Sequence, residues 1–343
     1  MLDKRYFHIG GQWVTPARRQ DLTVIDPSTE RPCAVISVGD AIDADRAVQA
    51  ARQAFSDWSR TAPGERLRLV ERLLDIYERR AAEMARMISL EMGAPVAMAR
   101  AEHVGAGAYH MRNFITAFRT FSFERSIGTH APNDRILMEP IGVAGLITPW
   151  NWPMNQVTLK VVPALLAGCT VVLKPSEIAP LSSMLFAEFI EEAGFPSGVF
   201  NLVNGDGTGV GARLSSHPDI DMISFTGSTR AGIAISKAAA ETLKRVVLEL
   251  GGKGANLIFA DADADAVRRG VLHCFKNTGQ SCNAPTRMLV ERSRYARAVE
   301  EAREITANFA AEAARAPGTL FGPLTSAAQF RKVQEMIEIG MAE

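Results

Sequence analysis

The sequence of 343 residues predicts an α/β protein: a parallel sheet with helices on both faces, followed by a second, incomplete α/β unit. From about residue 140, short apolar or β-branched runs alternate with helical runs, the pattern of β-α-β crossovers. A further alternating set begins after Gly251-Gly252 and has no closing element. The length is that of about two domains. We therefore expect a first unit over residues 1–251 and a second, partial unit over 252–343.

The N-terminal part is expected to form a hairpin and helices. "YFHIGGQWV" alternates around Gly10-Gly11 and predicts a short hairpin. "DADRAVQAARQAFSDWSR" has apolar residues at helical spacing, and a longer amphipathic helix follows, with Pro63 and Gly64 at its start.

Five strands are predicted for the parallel sheet, at 142–148, 170–174, 199–203, 222–226 and 245–250. In the second unit, "ANLIFA" and "RMLVE" are typical of strands, and a helical pattern follows each of them. Parallel sheets of this kind bind ligands at the carboxyl ends of their strands, so the residues after each strand are the candidates for a site.

Composition excludes several classes of function. Lysine plus arginine and aspartate plus glutamate number 38 each, giving a formal net charge of +0, so we expect no nucleic-acid partner. The N-terminus is charged from the start and no apolar run is long enough to cross a bilayer, so we expect no membrane partner and a cytoplasmic location.

The four cysteines are scattered, without a C-x-x-C pair, and the six histidines do not cluster with other ligands. We expect neither disulfides nor a metal site. Cys282, in "GQSCNAP", is then either a packing residue or a nucleophile, whereas Cys33, Cys169 and Cys274 are expected to be packing residues.

Two polar motifs close the first two strands. "ITPWNWPMN" is either an aromatic-packed turn or a site in which Asn151 offers N–H donors to an oxyanion. "LKPSE" is either a solvated charged loop or a ribose site, in which Lys174 donates and Glu177 accepts. A carboxylate in this place would repel a ribose 2′-phosphate.

Further motifs follow the later strands. "FTGSTRAG" would present Gly227 and Ser228 to a pyrophosphate at a helix N-terminus, although it is not the usual G-x-G-x-x-G, and "NGDG" could be a simple turn. In "LELGGK", Glu249 interrupts an apolar strand end. It is either an edge residue facing solvent or a general base in apolar surroundings.

Taken together, the order P-W-N, K-P-S-E, F-T-G-S, E-L-G-G-K and G-Q-S-C resembles the NAD(P)-dependent aldehyde dehydrogenase superfamily, from near residue 5 to the last residue. The resemblance implies a Rossmann-type NAD-binding domain over 1–251, with an oligomerisation segment near 117–139, and a partial catalytic domain over 252–343. It also implies a homodimer or homotetramer and a small aldehyde as substrate.

By matching positions, the resemblance implies that Cys282 is the nucleophile, Glu249 the general base and Asn151 half of the oxyanion hole. NAD is the expected cofactor, and NADP is less favoured because of Glu177. The residues implied for cofactor binding are Thr148, Pro149, Trp150, Lys174, Ser176, Glu177, Gly207, Phe225, Gly227, Ser228 and Leu250.

The sequence departs from the family pattern in one respect. The E-x-F-G-P motif, whose glutamate grips the nicotinamide ribose, is absent. "TLFGPL" is similar to it but carries Thr319 in the place of the glutamate, and its surroundings match an earlier segment of the family. We therefore expect weak turnover or none. The alternative function is a catalytically silent, C-terminally truncated chain that retains dinucleotide binding or subunit interaction; a variant that acylates coenzyme A is a further one. "GQSCNAPTRMLV" resembles bacterial members that act on semialdehydes and medium-chain oxo-acid precursors.

Overall fold

The computed structural model of the chain describes residues 1–316 and 318–343. Its strands are Leu2–Lys4 (β1), Phe7–Ile9 (β2), Gln12–Val14 (β3), Asp21–Asp26 (β4), Arg31–Ser37 (β5), Glu124–Ser126 (β6), Arg135–Leu137 (β7), Val143–Ile147 (β8), Thr170–Lys174 (β9), Phe200–Leu202 (β10), Met222–Gly227 (β11), Arg245–Leu250 (β12), Ala255–Ile258 (β13) and Arg287–Val290 (β14).

The α-helices are Ala41–Trp58 (α1), Pro63–Arg79 (α2), Ala81–Met92 (α3), Val96–Met98 (α4), Gly105–Thr120 (α5), Pro153–Ala167 (α6), Leu181–Ala193 (α7), Ala212–Ser216 (α8), Thr229–Ala240 (α9), Ala266–Phe275 (α10), Tyr295–Arg315 (α11) and Ala327–Ala342 (α12). Two π-helical stretches, Ala99–Val104 and Gly207–Gly211, lead into α5 and α8. None of the helices described in 1–316 and 318–343 is long and apolar enough to cross a membrane.

The main sheet has seven strands in the order β12-β11-β8-β9-β10-β2-β3. The five strands from β12 to β10 are parallel, as the alternation of strands and helices predicts. The hairpin β2-β3 is added to this sheet antiparallel to β10, with Leu202 opposite His8. The sequence predicted the hairpin but not its place in the sheet.

Helices cover both faces of the sheet because its central strands are apolar on both sides. In β8, Ala144 and Leu146 pack into one cluster with α2, α3, α5, α6 and α7. Val143 and Ile147 point the other way, into a second cluster with α1, α8 and α9. The period of two along the strand separates the two cores.

Three smaller sheets complete the fold. β1, β5 and β4 form a three-stranded sheet that the sequence analysis did not predict. β6 and β7 form an antiparallel hairpin within the predicted oligomerisation segment. β13 and β14, at the two strands predicted in "ANLIFA" and "RMLVE", pair in parallel, and α10 and α11 pack on them through Val267, Val271 and Ala298.

Candidate active site

The carboxyl ends of four parallel strands form one edge of the main sheet. Ile147 at the end of β8 lies opposite Lys174 at the end of β9 and also opposite Phe225 on β11. On the next strand, β12, Glu249 lies opposite Thr226. The polar motifs that follow separate strands in the sequence therefore meet at one edge, where ligands of such sheets bind.

The segment that carries Cys282 comes from the second unit and is bonded to this edge. It follows α10 through the turn Lys276–Gly279, in which Asn277 and Thr278 adopt left-handed φ angles of 55° and 59°. The Asn277 side chain donates to the main-chain oxygen of Asn151 at 2.9 Å. Asn151 in turn donates from Nδ2 to the main-chain oxygen of Gln280 at 3.1 Å. These bonds place Cys282 beside the end of β8, with an exposed, unbridged thiol.

A cavity of about 720 Å³ brings the three candidate catalytic residues together. Cys282, Asn151 and Glu249 all line it, and so do several of the residues implied for cofactor binding: Pro149, Trp150, Gly227, Ser228 and Leu250. No group of three or more histidine, cysteine or acidic side chains is placed to hold a metal in the parts of the chain that the structure describes.

Glu249 lies on the edge strand β12 and is exposed. The expectation that this carboxylate sits in apolar surroundings is wrong, because β12 has no neighbouring strand on its outer side in the seven-stranded sheet. The edge position is the other alternative that the sequence left open. Glu249 is both exposed to solvent and part of the cavity lining, because the cavity opens along the same edge of the sheet.

Lys160 was missed by the sequence analysis. It lies on α6, only 8% exposed, lines the same cavity and donates from Nζ to Ser224 Oγ at 2.8 Å. Burial lowers the pKa of Lys160 to about 8, and the nearby charge of Glu249 opposes that shift. The signal was present: a single lysine interrupts the apolar run "VTLKVVPALL", where an unpaired charge would be costly.

The remaining implied cofactor residues lie outside the lining of that cavity. Lys174 is buried and donates to the main-chain oxygens of Pro175 and Gly205, at 2.7 and 2.5 Å. It also pairs with Glu177 at 3.4 Å. Burial lowers the pKa of Lys174, while the charge of Glu177 opposes this. The three donors of the ammonium are thus already used, and Lys174 orders Glu177, whose side chain remains 37% exposed.

Glu177 faces a second cavity, of about 750 Å³, between β4 and the segment before α12. Ser176 is buried, and its Oγ accepts from the main-chain N–H of Ile178. Thr148 is also buried, and its main-chain N–H donates to the Lys174 oxygen at 3.1 Å. These bonds order the segments that follow β8 and β9.

The glycine turn after β11 leads directly into α9. The Ser228 side chain caps this helix by accepting from Ala231 N–H at 3.3 Å. A Cβ at Gly227 would lie 2.4 Å from the ring of Phe225, so that ring packs against the bare backbone and is itself buried. Gly207 starts the other turn, where Asp206 accepts from Gly209 N–H at 2.5 Å, and space around it is open.

The aldehyde dehydrogenase family model matches residues 13–343. The chain belongs to the aldehyde dehydrogenase family. The resemblance seen in the motifs is confirmed, and the family places this member among the oxidoreductases that act on aldehydes. A 3-succinoylsemialdehyde-pyridine dehydrogenase from Pseudomonas sp. is 50% identical over 349 residues, covering 100% of this chain and 72% of that protein.

Solved structures of aldehyde dehydrogenases confirm the fold. The enzyme from Bartonella henselae superposes with a TM-score of 0.95 and 58% identity, over 100% of this chain and 72% of that one. A mutant of aldehyde dehydrogenase C from Pseudomonas syringae, complexed with NAD+ and octanal, gives a TM-score of 0.92 and 47% identity. The match covers 98% of this chain and 69% of that one. The predicted aldehyde dehydrogenase-like α/β fold of this family member is therefore correct.

Proposed function

We propose that this chain is an NAD-dependent aldehyde dehydrogenase that converts an aldehyde into a carboxylic acid through a covalent adduct on Cys282, with the weak turnover that the absence of the E-x-F-G-P motif predicts. The observation that carries the proposal is the convergence of Cys282, Asn151 and Glu249 on one cavity. Three segments of the chain supply these residues, so their meeting is a property of the fold. A nucleophile, an oxyanion donor and a base are what acyl chemistry on an aldehyde requires.

The residues at this edge of the sheet suit a dinucleotide. Glu177, on the neighbouring cavity of about 750 Å³, has an accessible carboxylate for the hydroxyls of a ribose and is held in place by Lys174. Gly227 and Ser228 precede a helix of 12 residues, whose N-terminal N–H groups favour a pyrophosphate. Pro149, Trp150 and Leu250 give the cavity apolar walls for an aromatic ring. When bound, NAD supplies the acceptor for the hydride that leaves the adduct.

The chain's own residues account for the other steps. The Cys282 thiolate would attack the aldehyde carbon, forming a thiohemiacetal whose oxygen carries negative charge. Asn151 uses one Nδ2 hydrogen on Gln280 and has a second for that oxygen, beside the Cys282 N–H. Loss of hydride leaves a thioester on Cys282. Glu249 would accept a proton from the water that hydrolyses it, and the edge position of β12 gives water access.

Two further parts of the proposal concern organisation. We place the domain boundary at residue 251, with the NAD-binding domain before it and the partial catalytic domain after it. We also propose self-association through residues 117–139, as a homodimer or homotetramer. That segment carries exposed apolar side chains, among them Phe121, Leu137 and Met138, which are 50%, 62% and 46% exposed.

The test is NADH formation by the purified chain with NAD and a panel of aldehydes. The panel includes octanal and an aromatic semialdehyde, the kinds of compound that the names of the relatives contain. Activity should be lost in Cys282→Ala and kept in Cys274→Ala, a cysteine outside the cavity. Adding coenzyme A and analysing the product separates hydrolysis from acyl transfer. No NADH with any aldehyde would contradict the proposal.

A silent dinucleotide-binding chain is the second candidate. It is favoured by the absence of the E-x-F-G-P motif; "TLFGPL" has Thr319 in the position of the glutamate and does not replace that motif. The following Gly322 packs on the backbone of Gly93 and accepts from Thr278, so this segment supports the nucleophile loop. NAD binding measured by calorimetry, without turnover of any aldehyde, would support this candidate over the first.

A further inference from the structure

Trp152 and Ser281 are joined by a hydrogen bond next to the nucleophile. The indole Nε1 donates to Ser281 Oγ at 2.8 Å, across 129 residues of sequence. Trp152 directly follows Asn151 in the chain, and Ser281 directly precedes Cys282. The bond therefore connects the residue beside the oxyanion donor to the residue beside the thiol.

Ser281 is the last anchored residue before the thiol. The preceding Gln280 is held at its main-chain oxygen by Asn151 and at Oε1 by the N–H of Thr325, at 3.1 and 3.0 Å. Cys282 itself is exposed, so its own packing does little to fix its direction. A bond to the Ser281 side chain restricts the backbone one peptide away from Sγ and from the Cys282 N–H.

His103 packs against the face of the Trp152 indole. Its ring stacks on Trp152 with centroids 4.2 Å apart and planes 24° from parallel. It is fully buried. Burial lowers the pKa of His103 to about 4, so the ring is neutral and serves as a flat packing surface. The stack fixes the plane of the indole and hence the direction of its N–H.

We propose that Trp152 and Ser281 are positioning residues for the nucleophile: their hydrogen bond sets the backbone so that Cys282 Sγ and N–H face the Asn151 amide. The inference rests on the proposed function, because only a thiol that adds to a carbonyl needs this alignment. The relevant step is thiohemiacetal formation. The sulfur–carbon bond forms, the carbonyl π bond opens, and the thiol proton ends on the oxygen.

The test measures this addition without cofactor, as protection of Cys282 from iodoacetamide by octanal. Trypsin releases Cys282 as the lone cysteine of the peptide 277–287, and Cys274 as that of 270–276, so mass spectrometry follows each thiol separately. The variants are Ser281→Ala and Trp152→Phe, which remove the acceptor and the donor, their double variant, and Ser281→Thr, which keeps a hydroxyl.

We expect Ser281→Ala and Trp152→Phe each to need about threefold to tenfold more octanal for half-protection, the range that loss of one neutral hydrogen bond produces. The double variant should need no more octanal for half-protection than the single variant with the larger effect, because both changes remove the same hydrogen bond. Ser281→Thr should retain wild-type protection, and Cys274 should be unprotected throughout. The rate of Cys282 alkylation without octanal reports how accessible the thiol is. A change in that rate indicates a loosened loop, whereas a change in protection alone indicates that the thiol has lost its alignment with Asn151.

Additive effects in the double variant, or unchanged protection in both single variants, would overturn the positioning role while the proposed function stands. If octanal fails to protect Cys282 in the wild-type chain, both proposals fall. If protection follows the expected series but no NADH is formed with NAD, the positioning role holds and the proposed function fails.

Discussion

The side-chain nitrogen of Asn151 lies 3.1 Å from the main-chain oxygen of Gln280, which joins the end of β8 to the loop that carries Cys282. The reverse contact, from Asn277 Nδ2 to the main-chain oxygen of Asn151, measures 2.9 Å. Asn151 is thus bonded through both its side chain and its backbone. The end of β8 and the loop that leads to Cys282 therefore meet at this residue.

Asn151→Ala is expected to lower kcat by about 10²–10³-fold, since one oxyanion donor is lost where charge develops. The affinity for NAD, measured by titration, should stay unchanged. Asn155→Ala is the matched control, because Asn155 lines the same cavity but its Oδ1 is engaged by His110 at 2.7 Å. Equal losses of kcat in the two variants would argue against an oxyanion role for Asn151.

Glu249→Gln should keep a first burst of NADH while steady turnover falls by about 10²–10⁴-fold, because the base is needed only to hydrolyse the thioester. Stopped-flow measurement of NADH separates the two phases. Glu241→Gln, at the exposed end of α9, is the control. A missing burst would show that Glu249 also acts before the thioester forms.

Glu177→Gln should raise the Kd for NAD by about threefold to tenfold, because a neutral amide accepts more weakly than a carboxylate. The same change should reduce discrimination against NADP, whose 2′-phosphate the carboxylate repels. Calorimetric titration with both cofactors measures this. Glu30→Gln, on the wall of the same 750 Å³ cavity, should leave both affinities unchanged. Identical effects of the two variants would remove Glu177 from the ribose site.

Lys160→Met should change how stability depends on pH. The folded chain holds the Lys160 pKa at about 8, below the ordinary value of 10.5. Between these values the unfolded chain binds more protons, so the free energy of unfolding of the wild type rises with pH there; below 8 the cost of burying the charge is constant.

The free energy of unfolding of Lys160→Met, relative to that of the wild type, should therefore be highest near pH 7. This difference should fall by about 2–3 kcal/mol as the pH approaches 10.5. Urea unfolding at a series of pH values measures the difference. Lys237→Met, on the exposed side of α9, should show a difference that does not vary with pH. A pH-independent difference for Lys160→Met as well would mean that the ammonium is not desolvated.

Local patterns predicted much of the fold. The five parallel strands were predicted within one residue at each end, because the strands are short apolar runs bounded by turn residues, as in sheets covered on both faces. The β1-β5-β4 sheet was not predicted, and neither was the pairing of β2 with β10. β1 and β2 have only three residues each and leave little periodicity, and their pairing with β5 and β10 depends on contacts far away in sequence.

The sequence by itself determined the family and the identity of the candidate nucleophile, oxyanion donor and base, because these depend on residue types in a fixed order. Only the tertiary structure decided that Glu249 lies on an exposed edge strand, that Lys160 shares its cavity, and that Trp152 bonds to Ser281. The physical reason is that exposure and hydrogen bonding belong to pairs of segments. Their meeting is set by strand order and register, which no local stretch of sequence contains.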